Sequence, residues 1–212
     1  MKQELKAHIR SHLRENLSLY TFTMVLIFIG IFFGAIIVNS LSIDQKNDLY
    51  LYLSRFFSQL SNEPMMSSSD LFQQSFMHYL KYIGLIWILG VSVIGLPIIL
   101  ILLFLKGVVI GFTVGFLVSQ MGFKGFFLAF VSVLPQNLIL LPTFLMIGVA
   151  AISFSLKMVR MHLTKSKSEP FVPLLARYSI TMLVIIVLIL FSSSVEAYIS
   201  PFLMKFIIHL TS

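Results

Sequence analysis

His8 and His12 stand four residues apart. That spacing brings two imidazoles onto one helix face and can hold a metal ion. No carboxylate lies at metalloprotease spacing, and both sit in a segment rich in lysine and arginine, where they also read as headgroup-level polar residues. His78, His162 and His209 are isolated. Glu196 is the one acid beside a long apolar stretch, and no second acid lies at helical spacing from it. Hydrolysis needs a nucleophile with a base, a metal with ligands, or paired carboxylates. None of these sets is visible, so the chain reads as a non-enzyme with no cofactor and no metal. Cysteine is absent, which removes thiol nucleophiles, disulfides and iron–sulfur clusters. Ion-coupled transport would need ionisable groups near a bilayer midplane; Lys81, Lys106, Lys124 and Glu196 all read as lying at the ends of apolar spans.

Those spans dominate the chain. Of its 212 residues 58% are hydrophobic and 11% charged, with a mean hydropathy of +0.98. A hydrocarbon core of about 30 Å takes about 20 apolar residues per helix. Residues 20–38, 82–105, 107–121, 136–156 and 178–195 are long enough, or nearly so. The fold class is therefore all-α: a polytopic integral membrane protein with five transmembrane helices plus interfacial amphipathic helices, in one membrane domain. Lys106 marks a tight turn between the second and third spans. The third span reaches only about 22 Å, so residues 122–133 extend it, re-enter or lie at the interface. Pro97 and Pro142 predict kinks, either ordinary ones or the broken helices of a carrier.

The remaining segments are amphipathic. In residues 1–19, Leu5, Ile9, Leu13 and Leu17 recur every four residues beside a basic stripe, as in a helix lying on a membrane. Residues 40–81 open with a capping box, Ser42-Ile-Asp-Gln45. Leu49, Leu53, Phe56, Phe57 and Leu60 then form one helical face. A loop at 62–69 separates this helix from one starting near Asp70, which carries Leu71, Phe72 and Phe76 into the second span. Residues 157–177 are a basic loop, and residues 200–212 an amphipathic tail. The net charge of +7 concentrates in short flanks of spans, which argues for lipid headgroups rather than nucleic acid. By the positive-inside rule the amino terminus and residues 157–177 are cytoplasmic, and residues 40–81 and the carboxyl terminus extracytoplasmic.

Three surfaces carry the binding readings. Gly107, Gly111 and Gly115 make a small-residue stripe for close helix association, either within the chain against the second or fourth span or in a homo-oligomer. Tyr52, Phe56, Phe57, Leu60, Phe72 and Phe76 are candidate partner-docking residues, able also to pack on one another or lie on lipid. Pro135, Gln136, Asn137 and Pro142 form a candidate structural turn.

Lys81-Tyr-Ile-Gly-Leu-Ile-Trp-Ile-Leu-Gly, Ser92-Val-Ile-Gly-Leu-Pro97, Phe104-Leu-Lys-Gly107 and Gly111-Phe-Thr-Val-Gly-Phe-Leu117 resemble the stage II sporulation protein M family. Leu134-Pro-Gln-Asn137 and Glu196-Ala-Tyr-Ile-Ser-Pro201 extend the likeness over nearly the whole chain. The wider family reads Pro-His-Gly-x-x-Glu-Leu-Pro where this chain has Pro135-Gln-Asn-Leu-Ile-Leu-Leu-Pro142. Gln136, Asn137 and Leu140 thus replace a histidine, a glycine and a glutamate, and proton or metal chemistry at that motif is not carried over. The resemblance implies a multi-pass protein of the mother-cell membrane, at the sporulation septum, needed for engulfment of the forespore. It implies a scaffold that recruits two membrane-anchored peptidoglycan-cleaving enzymes, stage II sporulation proteins D and P, for septal wall thinning. A transporter or permease subunit is the alternative class, and an intramembrane hydrolase a third.

Overall fold

The computed structural model describes residues 16–62, 67–92, 94–163 and 171–199, without the side chains of 56–62, 162 and 163. The amphipathic segment before residue 16, with His8 and His12, and the tail from residue 200 lie outside the described residues.

Every described element is helical: α1 (Leu17–Ser40), α2 (Ile43–Asn62), α3 (Ser68–Val91), α4 (Gly95–Ser132), α5 (Leu134–Leu163), α6 (Phe171–Ser194) and a π-helical turn, Val195–Ile199. Four stretches are long and apolar enough to cross a membrane: Leu17–Ser40, Gly95–Ser132, Leu134–Met161 and Phe171–Ile199. This is a helical membrane protein, with four such stretches rather than five.

The difference lies at residues 82–121. The expected second span, residues 82–105, is not one helix. The chain breaks at Ser92, whose backbone is extended (φ −97°, ψ 133°), and reverses. A straight helix would put Tyr82 and Leu102 about 30 Å apart; instead the Tyr82 hydroxyl donates to the Leu102 carbonyl at 2.6 Å. Lys106 is no turn but lies inside α4. Pro97 makes no mid-span kink, because it falls in the first turn of α4, where its missing N–H has no intrahelical partner to lose. Pro142 stays inside a single α5.

Contacts between helices fix their directions. A methyl built on Gly107 would strike the Ile27 carbonyl, one on Gly111 the Ile31 carbonyl, and one on Gly115 would lie 3.1 Å from the Ala35 Cα. Both chains advance four residues per step, so α1 and α4 run parallel. Leu103 meets Gly148 and Lys106 meets Phe144, so α5 runs against α4. Tyr178 stacks on Phe154 at 4.7 Å, and the Ser192 hydroxyl donates to the Gln136 carbonyl at 3.3 Å; α6 therefore runs against α5. The helical legs α1, α3, α4, α5 and α6 alternate in direction, although α3 is apolar only in its second half.

At Gly122 α4 doubles back. Its φ of 57° is open to glycine and costly for other residues. Gly125 then approaches the Leu117 carbonyl so closely that no side chain fits. Residues 123–132 pack on α4 through Leu128 and Ala129, with Leu53 of α2 joining the cluster, and present Phe123, Phe126, Phe127 and Phe130 outward. The starts of α2 and α3 are both capped. Ser42 and Gln45 exchange backbone-to-side-chain bonds of 3.0 and 3.3 Å, and the Ser67 hydroxyl accepts from the Asp70 N–H at 3.2 Å. In each case the side chain satisfies N–H groups that the first helical turn leaves open.

Candidate functional site

The apolar bundle encloses a polar junction built from four elements. Tyr79 and Tyr82 come from α3, Lys106 from α4, Phe144 from α5 and Glu196 from the π turn. The Tyr79 hydroxyl donates to Glu196 Oε2 at 2.8 Å. The Lys106 ammonium lies 5.3 Å from the centroid of the Tyr79 ring and 4.9 Å from that of Phe144, within cation–π range. Glu196 is close enough to act on Lys106 electrostatically. Tyr82 stands edge-on to Phe144, ring centroids 5.2 Å apart. Tyr79 and Phe144 are buried.

The expectation that Lys106 ends a span is overturned: it lies inside α4, between Tyr79 of α3 and Phe144 of α5. An unpaired lysine at a helix centre costs roughly 2.5–3.5 kcal/mol on insertion scales. Here two aromatic faces and a carboxylate offset that cost. Glu196 reaches inward from the wider π turn, the kind of local irregularity that re-aims a side chain.

Two further polar sites flank the junction. Towards the Ser92 break, the Tyr178 hydroxyl donates to the Trp87 carbonyl at 3.0 Å and the Ser155 hydroxyl to the Ser92 carbonyl at 3.3 Å. At the start of α5, Gln136 Oε1, Asn137 Oδ1 and Ser193 Oγ are buried without hydrogen-bond partners. Among the described residues no three His, Cys, Asp or Glu side chains come together in a metal-binding group. The junction pairs one base, one acid and one phenol, an arrangement able to fix helices or to share a proton.

The sequence-predicted residues scatter. Tyr52 is 70% exposed on α2. Phe72 and Phe76 stack with parallel rings 5.9 Å apart, and Phe76 packs against the main core. The side chains of Phe56, Phe57 and Leu60 lie outside the described residues. Gly107, Gly111 and Gly115 face α1, neither the second nor the fourth span. Pro135, Gln136 and Asn137 occupy the first turn of α5. Sequence reading missed the Tyr79–Lys106–Glu196 junction, although Lys106 is the one charge between Lys81 and Lys124, and that isolation was a usable signal. It also missed Gly30 and Gly34, a second four-residue glycine step that meets α4.

Alternating helices, a half-buried charge cluster and an apolar exterior define a polytopic helical membrane protein with a polar junction inside its bundle. The sequence model of the family described as Stage II sporulation protein M matches residues 23–201. The chain belongs to that family, and so to the sporulation-related membrane proteins. No curated protein matches it, and no solved structure does.

Proposed function

We propose that this protein is a non-enzymatic membrane scaffold of the sporulation engulfment complex. On this reading it sits in the mother-cell membrane at the septum. There it holds the peptidoglycan-cleaving stage II sporulation proteins D and P while the septal wall is thinned. The observation that carries the reading is α2. This helix is capped at its start and lies beside the bundle with Tyr50, Leu51 and Tyr52 exposed. Tyrosines on a well-formed helix suit an interface. The exposed Lys157 near the far end of α5 supports a cytoplasmic location for that end and an extracytoplasmic one for α2, the side on which wall enzymes work.

The test is co-purification from sporulating-cell membranes. Tyr52→Glu, and Phe56→Glu with Phe57→Glu, lose both enzymes while the protein stays membrane-inserted. Undiminished capture by both variants overturns this surface. A second reading, a transporter or permease subunit, is favoured by Lys106, an ionisable group set among the helices beside Tyr79 and Phe144. It requires solute-dependent uptake or current in reconstituted vesicles that Lys106→Met abolishes. The scaffold reading requires neither.

A further inference from the structure

The two sides of α3 differ in kind. Tyr79, Ile83, Ile86 and Gly90 are buried against the bundle. The opposite side is exposed, and its upper part is polar: Asp70, Gln74, His78 and Lys81, with Met77 at the edge. These positions follow one another at three- and four-residue steps and so form a single stripe. Leu85 and Ile88 continue it towards the Ser92 break, and there it is apolar.

Contacts place this stripe along the bundle. The Tyr79 ring lies under the Lys106 ammonium, the Tyr82 hydroxyl reaches the Leu102 carbonyl, and Gly107 touches the Ile27 carbonyl. Met77 and His78 are therefore level with Ile27 and Phe28 of α1, and Lys81 lies slightly nearer the Ser92 break. α1 is long and apolar enough to cross a membrane, carries no charge anywhere, and at this level exposes Met24, Val25 and Phe28. One face of the molecule thus offers phenylalanine to its surroundings where another offers histidine and lysine. Below Lys81, α3 has ten residues to Val91, about 15 Å and half a hydrocarbon thickness.

Charge and continuity select what meets this face. A lysine level with acyl chains reaches for phosphate along its own apolar stem. The stripe gives headgroups a way down, because it stays polar from the capped start of α3, where the Ser67 hydroxyl donates to Asp70 Oδ2 at 2.7 Å, to Lys81. A second protein helix would have to pair each of these groups out of water, which is costly unless every partner fits. Headgroups bring phosphate and water together. We infer that the outer face of α3 seats phospholipid headgroups below the usual headgroup level, with a lipid phosphate held at Lys81, so that the bilayer is thinned on this side of the protein alone. The surface is separate from α2 and from the Lys106 junction, and it rests on neither reading of function.

Depth-dependent quenching tests it. The chain has no cysteine of its own, so Met77→Cys and Phe28→Cys each take one fluorophore, at positions 45% and 58% exposed. The full chain is reconstituted in phosphatidylcholine–phosphatidylglycerol vesicles that carry a nitroxide either on the headgroup or midway along the acyl chain. The headgroup nitroxide quenches the label at position 77 more than the chain nitroxide does, and the order reverses at position 28. His78→Leu with Lys81→Leu gives position 77 the order of position 28. Should that variant fail to insert, Lys81→Met lowers headgroup quenching at position 77 and Lys81→Arg keeps it. Stronger chain quenching at position 77 of the otherwise native protein overturns the proposal. So does the same order at both positions, quenching by neither nitroxide at position 77 (a protein surface covers it), or an order that outlasts the loss of Lys81.

Discussion

Two junctions hold this bundle together, and they work by opposite means. The α1–α4 seam is close at the backbone: Gly30 and Gly34 of α1 press on the Phe104 and Val108 carbonyls, and Gly107 and Gly111 of α4 on those of Ile27 and Ile31. The junction of α3, α4, α5 and the π turn is crowded with large polar and aromatic groups, Tyr79, Lys106, Phe144 and Glu196. In lipid, apolar area gives helices no reason to associate, because acyl chains are as apolar as leucine. The seam answers with close contact and dispersion. The polar junction answers with charge and hydrogen bonds that have no better partner in hydrocarbon. The seam has no room for a side chain at Gly107 or Gly111, whereas the polar junction is weakened by removing a group.

Glu196→Ala tests the polar side most severely. It removes the acceptor of the Tyr79 hydroxyl and the carboxylate near Lys106, and is expected to destabilise the protein by up to about 3 kcal/mol, the upper range for a lost hydrogen bond to a charged group. Unfolding in mild detergent measures it. The double variant Lys106→Met/Glu196→Gln removes both charges and should recover most of that loss. Failure to recover would mean that the pair contributes more than mutual neutralisation.

Gly111→Leu attacks the seam. A Cβ there already strikes the Ile31 carbonyl, so α1 must move away, at about 2–3 kcal/mol by the measure of overpacked cores. Cross-linking between cysteines placed at Ala35 and Gly115 should fall with it. Tyr79→Phe deletes one hydrogen bond to a carboxylate and should cost about 1.5 kcal/mol, leaving the seam cross-link intact. Ser42→Ala removes the cap of α2, which lies away from both junctions, and should cost about 1 kcal/mol as fraying seen by hydrogen exchange in α2 alone.

The same contrast explains what could be read in advance. The helical class and the spans of α1, α5 and α6 follow from long apolar runs, and the Ser42–Gln45 cap from a local motif. The glycine step on α4 is likewise local and periodic. Its partner is not legible, because nothing near Gly107 points to α1. The polar junction was illegible for a related reason: Tyr79 and Glu196 are separated by 117 positions, and neither is unusual in its own segment. Lys106 also carries the signature of a turn between spans, which masks its place in the junction. Charge normally marks a span boundary, and here the chain turns 14 residues earlier, at Ser92, a residue with no strong breaking tendency of its own.

The parallel pairing of α1 with α4 also bears on biogenesis. Ile27 and Gly107 touch, yet one is translated 80 residues before the other. At about 5–20 residues per second, the nascent α1 waits about 4 to 16 s in the bilayer before its mate leaves the ribosome. Throughout that interval its glycine face is bare, with nothing but acyl chains or an insertase to cover it. Assembly therefore cannot proceed one hairpin at a time; the first helix made is completed by the third to enter.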